Sequence, residues 1–244
     1  MDKISIVTVT FNCKKILEKT IKSIISQTYS NIEYIVIDGS SKDGTLDILE
    51  KYKNNIDYFI SEPDKGIFDA MNKAINVATG DWIIFMNAGD IFANENILSQ
   101  IFNKDFHDTT VIYGKTNALT NKGVKIAQNV TPFFKRKTFH KPMGINHQSI
   151  FVSLKSPYNI HFNLEYKIAA DYCMIKSLYD SGARFHYVDM AISTVETRDG
   201  LSAKNRKIQR DEEAKICGIY HTKRYKLYNL KMCLISFIKT ILFK

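Results

Sequence analysis

Little in this sequence stiffens, staples or interrupts the backbone. Proline occurs four times in 244 residues, and no Pro/Gly-rich tract, repeat or low-complexity run divides the chain. One compact unit followed by a distinct tail is therefore expected. The four cysteines, Cys13, Cys173, Cys217 and Cys233, are scattered and form no CxxC pair. That excludes the spacing of a zinc cluster and argues for reduced thiols in a cytosolic setting. No apolar run approaches the roughly 20 residues that a membrane span needs. The start, MDKISIVTVTF, carries an acid and lacks the long apolar stretch of a secretory signal. Two common phosphate cradles are also missing: no G-x-G-x-x-G follows the first strand pattern, and no GxxxxGK[ST] occurs anywhere.

Acidic residues are absent from one end only. Between Ala214 and Lys244 there is no Asp or Glu, whereas Lys215, Lys223, Arg224, Lys226, Lys231, Lys239 and Lys244 contribute seven positive charges. Taking those seven from the formal charge of +9 leaves +2 for the first 213 residues. The body is nearly neutral, which speaks against a nucleic-acid groove spread over the fold. In the tail, Leu227, Leu230, Leu234, Phe237, Ile238, Ile241 and Leu242 recur at three- and four-residue steps, flanked by lysines. Such a stripe suits a helix lying on an anionic membrane; a helix docked on the protein's own core gives the same pattern.

What is present is a regular first half. With 45% hydrophobic residues, the chain has material for a substantial core. Ile4 to Phe11 is apolar on both faces, as a buried parallel strand is. Lys14 to Gln27 repeats at helical spacing, Ile32 to Ile37 is a second strand, and Asp43 is placed to cap a helix running to Tyr52. Asp57 to Ile60, Phe68 to Ala78 and Trp82 to Met86 follow as strand, helix and strand. This alternation predicts an α/β, doubly wound, mostly parallel sheet. Beyond it, Thr110 to Tyr113, Val124 to Gln128 and Arg184 to Val188 read as strands. Glu165 to Tyr179 reads as a helix and Thr131 to Gly144 as a loop.

Ligands of open parallel sheets bind at the carboxyl ends of the strands. Those ends here carry Thr10-Phe11-Asn12, then Asp38-Gly39-Ser40-Ser41-Lys42-Asp43-Gly44, then Glu62-Pro63-Asp64-Lys65-Gly66, then Asn87-Ala88-Gly89-Asp90. One acid at a strand end is ordinarily a helix cap; three along one edge suggest a shared role. A phosphate site built from carboxylates needs a cation between the two sets of charge, and Mg²⁺ or Mn²⁺ takes oxygen ligands from both. Gly39, Gly44 and Gly66 are expected at turns needing positive φ or close approach. Trp82 is expected in the core, and Lys135-Arg136-Lys137 on a solvated loop.

TVTFN, IEYIVIDGSSKDGT and SEPDKGIFDAMNKAINVATGDWIIFMNAGD together resemble the nucleotide-binding half of family 2 glycosyltransferases, which have the GT-A fold. HQSIFV and KIAADYCM resemble the acceptor half of bacterial members that build surface polysaccharides. The resemblance implies one domain over 1–222, with a nucleotide-sugar-binding half (1–103) and an acceptor half (104–222), and a basic amphipathic tail over 223–244. It further implies donor contacts at Thr10, Asn12, Asp38, Asp64, Lys65 and Asn87, with Asp38 toward the base. Asn87-Ala88-Gly89-Asp90 stands at the family's DxD-type metal motif. Asn87 and Gly89 replace acids there, so Asp90 is the expected ligand for Mn²⁺ or Mg²⁺. Asp171 matches the catalytic base, although Ala170 stands where an acidic pair is usual; by position alone, Asp171 also fits a helix-dipole role. His147 is a candidate on the acceptor side, against the plainer reading of a structural histidine.

The function so implied is inverting transfer of a hexose from a nucleotide-sugar, with UDP the expected nucleotide, to a lipid-linked saccharide. The expected location is cytoplasmic, peripheral on the inner face of the plasma membrane. Two other classes share some of these features. A nucleotidyltransferase uses similar metal chemistry but attacks phosphorus, and a non-catalytic binding protein would tolerate the altered Asn87-Ala88-Gly89 stretch.

Overall fold

The computed structural model describes residues 1–119, 123, 125–127, 146–196 and 204–242, with the backbone course alone for 125–127 and 233–242. Four strands and three helices alternate through the first half: β1 (Ile4–Thr10), α1 (Lys14–Ile25), β2 (Ile32–Asp38), α2 (Thr45–Lys51), β3 (Tyr58–Ser61), α3 (Ile67–Val77) and β4 (Trp82–Phe85). There follow β5 (Ile91–Phe92), α4 (Ile97–Ile101), β6 (Val111–Leu119), β7 (Lys125–Ala127), β8 (Ile150–Ser153), α5 (Ala170–Asp180), β9 (Phe185–Glu196), α6 (Arg206–Ile216) and α7 (Lys223–Leu242).

All nine strands join one sheet in the order β3-β2-β1-β4-β8-β6-β9-β5, with β7 paired to β6. The β3-β2-β1-β4 part is parallel throughout. β8 then runs antiparallel to both β4 and β6. The sheet is therefore parallel in the first half and mixed in the second, as expected.

Both faces of β1, β2 and β4 are covered, which is why these strands read as continuous apolar runs, whereas the edge strand β3 leaves Tyr58 and Phe59 exposed. Side chains alternate along β1. Val7 and Val9 face α3 and α5 through Phe68, Met71 and Met174. Ile4 and Ile6 face α1, α2 and α4 through Leu17, Ile21, Leu49 and Leu98. Trp82 is buried on that second side among Phe102 and Phe106, with its indole N–H donated to Asp2. Its assignment to the core holds. Truncating a fully buried residue such as Leu17 would cost about 2–5 kcal/mol.

Several expectations need correction. The helix expected from Glu165 begins only at Ala170, because the N–H groups of 167–169 are bonded to a side chain from elsewhere instead of continuing a helix. β6 and β9 are much longer than expected; their outer parts carry Thr, Ser and Asn, which weaken the apolar signal while hydrogen-bonding within the fold. β5, α4, β8 and α6 were not anticipated. Asp43 sits one residue before the cap of α2, which is Gly44 at φ 89°. Its carboxylate nevertheless accepts from the N–H and hydroxyl of Thr45 and from the N–H of Lys14, bracing α2 and α1 together. The Thr131–Gly144 loop and Lys135-Arg136-Lys137 lie outside the described residues.

Among the described residues, no helix is long and apolar enough to cross a membrane. α7 is nevertheless anchored at its start. Tyr225 is buried and donates its hydroxyl to Asp211 of α6 at 2.7 Å, and Asn229 reaches the same carboxylate. Leu227 and Leu230 point away and are 71% and 64% exposed.

Candidate active site

The ends of β1, β2 and β3 form one braced rim. Asp38 closes β2 and is fully buried. Its carboxylate accepts from the Thr10 hydroxyl (2.8 Å), the Ser41 N–H (2.9 Å) and hydroxyl (2.5 Å), and the Ser61 hydroxyl (2.7 Å). Burial works against the charge, yet these donors outweigh it and hold the carboxyl below its ordinary value. Two lone pairs on each oxygen are thereby matched by four internal donors. Asp38 is the hub that shapes the 38–44 loop and does not reach the surface.

The neighbouring loops interlock. Asn12, at φ 47°, donates its N–H to Ser41 and accepts from the Lys42 N–H, and Ser40 is likewise left-handed at φ 63°. Asparagine tolerates that conformation because its short polar side chain bonds locally. Asp64 caps the turn at Gly66, whose φ of 118° suits glycine, through an N–H contact of 2.8 Å. The other Asp64 oxygen presses on Gly39, where an added Cβ would lie 2.5 Å away. Gly44 and Gly66 thus take positive φ and Gly39 permits close approach, as expected. Lys65 is exposed, and Phe11 presents a ring 64% open to solvent beside Gly39.

A second group gathers beside the end of β4. Asp90 is buried, and its Oδ2 accepts from the Gln148 amide at 2.9 Å. Burial raises its carboxyl to about 6 against the Gln148 hydrogen bond and the charges of His147 and Lys19. Asn87 Nδ2 lies 2.9 Å from His147 Nε2, and His147 Nδ1 lies 3.0 Å from Asp171 Oδ2. One tautomer satisfies both contacts: Nε2 accepts from Asn87 and Nδ1–H donates to Asp171. Burial pulls the imidazole down, but the hydrogen bond and charge of Asp171 and the charge of Asp90 prevail, so its pKa is raised.

His147 and Gln148 sit on a short 3-10 turn, His147–Ser149. The turn is fastened by Ser149, whose hydroxyl meets those of Thr116 (2.8 Å) and Ser193 (2.7 Å) in a buried knot joining β6 and β9. Asp171 stands in the first turn of α5 and is 18% exposed. Glu213 of α6 lies close enough for Asp171 to act on it: burial, helped by the Asp171 charge, pushes the Glu213 carboxyl up to about 7.

Of the residues singled out in the sequence, Thr10, Asn12, Asp38 and Asp64 meet at one rim, with Lys65 beside them. Asn87, Asp90, His147 and Asp171 form one linked group. The two groups occupy the ends of adjacent strands, since β1 lies between β2 and β4. Gln148, Glu212 and Glu213 were missed. Gln148 stood within the HQS stretch; nothing in the sequence pointed to the other two.

For a divalent cation, the oxygen atoms here are of the right chemistry. Asp90 is an acid, and Asn87 Oδ1, three residues before it, is buried with no hydrogen-bond partner. Among the described residues, no three His, Cys, Asp or Glu side chains form a cage. A Mg²⁺-type ion needs only one or two protein oxygens when phosphates supply the rest.

This geometry is accompanied by likeness to known proteins. An uncharacterized glycosyltransferase of Mycobacterium tuberculosis is 31% identical over 174 residues, 69% of this chain and 65% of that one, so the chain spans just under two thirds of that relative. The Escherichia coli UDP-Glc:alpha-D-GlcNAc-diphosphoundecaprenol beta-1,3-glucosyltransferase WfaP is 38% identical over 102 residues, 41% of each chain. Residues 1–349 of S. aureus TarS in complex with UDP-GlcNAc share the fold, with a TM-score of 0.67 at 22% identity over 83% of this chain and 61% of that one. The glycosyl transferase family 2 model matches residues 5–159, more than half of the sequence, and the chain belongs to that family.

Proposed function

We propose that the chain is an inverting glycosyltransferase moving a hexose from a UDP-sugar to a hydroxyl of a lipid-linked saccharide. The observation that carries this reading is the line Asn87–His147–Asp171, with Asp90 alongside. It sets an ionisable base on one side and hard oxygen donors on the other. UDP and a lipid-linked acceptor are supported by the donor and acceptor in the name of the E. coli relative.

On the donor side, Phe11 offers an exposed flat ring for a nucleobase. Thr10, Asn12, Asp38 and Asp64 fix the loops around it, and Lys65 offers a cation to the diphosphate. Asp90 and the Asn87 amide oxygen would hold Mn²⁺ or Mg²⁺, which when bound neutralises charge on the departing diphosphate. Asp171 takes the proton of the acceptor hydroxyl as that oxygen attacks the anomeric carbon, which inverts in one displacement. His147 holds Asp171 Oδ2, and each carboxylate oxygen keeps a lone pair for the proton. The exposed leucines and lysines of α7 support a peripheral position on the inner face of the plasma membrane.

A panel of nucleotide-sugars with and without Mn²⁺ tests the reading. Release of nucleoside diphosphate marks the transferase, release of pyrophosphate a nucleotidyltransferase, and binding without turnover on suitable acceptors a binding protein. Asp171→Asn is expected to lower turnover about 10²–10⁴-fold at nearly unchanged donor affinity. Unchanged turnover would remove Asp171 from the role.

A further inference from the structure

α5 carries Asp171 but has no cap of its own. The first N–H groups of a helix lack internal partners and ordinarily take a Ser, Thr, Asp or Asn oxygen from the preceding residue. Here that residue is Ala169, whose side chain offers no acceptor, and Asp171 Oδ1 accepts from the Tyr172 N–H at 2.8 Å within the first turn. The segment that leads into α5 is held from α6 instead. Glu212, 7% exposed, accepts from the N–H of Lys167 with Oε1 at 2.8 Å, and from those of Ile168 and Ala169 with Oε2 at 2.9 Å each. Three N–H bonds to one carboxylate are charge-assisted and directional. They gather consecutive residues immediately before α5 and set where its first turn begins.

Two residues beyond this clamp, Asp171 is held from the other side by His147. Its backbone is located by α6 and its carboxylate by the 3-10 turn. The next residue on α6, Glu213, responds to the charge of Asp171, so the two elements are electrostatic neighbours as well.

We propose that Glu212 is the positioning residue for Asp171: its hold on the N–H groups of 167–169 places the base against the acceptor hydroxyl. The proposal rests on the reading of Asp171 as base. A displacement of about 1 Å at a reacting group can cost about 10²-fold in rate, which is the scale of effect expected.

Glu212→Gln in the full chain keeps the size but turns an N–H₂ toward backbone donors, and Glu212→Asp keeps the charge but shortens the reach. Turnover is followed as UDP release from whichever of UDP-glucose, UDP-GlcNAc and UDP-galactose the wild type consumes. Glu212→Gln is expected to lower kcat about 10²-fold with donor KM unchanged, and Glu212→Asp to lie between it and wild type. In an Asp171→Asn background the further loss should vanish, because the residue acts through Asp171. A crystal structure of the variant is expected to show Asp171 Oδ2 out of hydrogen-bond reach of His147 Nδ1. Should Glu212→Gln not fold, Glu212→Asp carries the same cycle and the same structural comparison. Wild-type kcat, a loss that persists beside Asp171→Asn, or an intact 3.0 Å contact overturns the proposal and leaves Asp171 as base. Full activity of Asp171→Asn alone sinks the base reading and the positioning role with it.

Discussion

His147 Nδ1 and Asp171 Oδ2 stand 3.0 Å apart, with side chains 21% and 18% exposed, although they come from a 3-10 turn and a helix separated by β8 and an irregular segment. The contact raises the imidazole above its ordinary value. A raised histidine binds its proton more tightly folded than unfolded. Its contribution to stability is therefore complete below about 6.5 and is lost as pH rises through the raised value. His147→Gln is expected to lower the melting temperature more at pH 5.5 than at pH 8.5, read by scanning fluorimetry at both. An equal loss at both values would show that the pair does not titrate as described.

Glu213 is shifted in the same direction, but there it is the charged form that the fold disfavours. Its folded carboxyl, raised to about 7 by burial and then by Asp171, binds a proton that the unfolded chain releases near 4.5. The folded state consequently loses stability as pH rises from about 4.5 to about 7. Glu213→Gln should melt higher than wild type at pH 8 and show no gain at pH 4.5, measured in one buffer series. A gain of the same size at both ends would mean that packing, not charge, is responsible.

At Gly39, space is the constraint. A methyl group there would meet the Asp64 carboxylate at 2.5 Å and the Phe11 ring at 3.2 Å, while the opposite oxygen of Asp64 is tied to Gly66. Forcing a methylene-sized group into such a contact costs about 1–3 kcal/mol. The relief available is a shift of the 64–66 turn. Gly39→Ala is expected to weaken UDP binding by about tenfold in calorimetry while the circular dichroism spectrum stays that of wild type. Unaltered affinity would place the nucleotide elsewhere.

The tail can be tested without removing it. Cutting after Thr222 would also strip away Tyr225, which is buried against α6. Leu227→Asp with Leu230→Asp alters two exposed side chains instead. Burying one leucine contributes about 1.5–3 kcal/mol, so the pair should reduce sedimentation with anionic phosphatidylglycerol vesicles at least about tenfold. Equal sedimentation of both proteins would assign the exposed face to something other than a membrane.

β1, β2 and β4 were legible because burial on both faces leaves an unambiguous apolar run, and the exposed edge strand β3 was legible from its place in the strand–helix alternation. β3 was expected over Asp57–Ile60 and lies at Tyr58–Ser61; α3 was expected over Phe68–Ala78 and lies at Ile67–Val77. α6 was not legible, since its buried residues are Glu212 and Ala214 while Ile208 is 43% exposed. It docks through a carboxylate, and hydrophobic periodicity cannot register that. The start of α5 was misplaced for the same reason. Strand-end position was enough to nominate Asp90 and the Asp38 loop. That Asp38 is saturated by Thr10, Ser41 and Ser61 depends on side-chain directions that no spacing encodes. The meeting of His147 with Asp171 likewise depends on the long β6 and β9 strands that support the turn.

Asp211 and Glu212 are adjacent on α6, and successive residues of a helix point about 100° apart. One secures the tail and the other secures α5. The family match ends at residue 159, before Asp171 and well before either acid. A shortened chain cut at that homology boundary would retain the rim around Asp38 yet discard Asp171, and one cut at 196 would keep Asp171 without the Glu212 contacts that precede α5. Keeping Asp171 together with these contacts requires a chain that extends through α6 to Ile216.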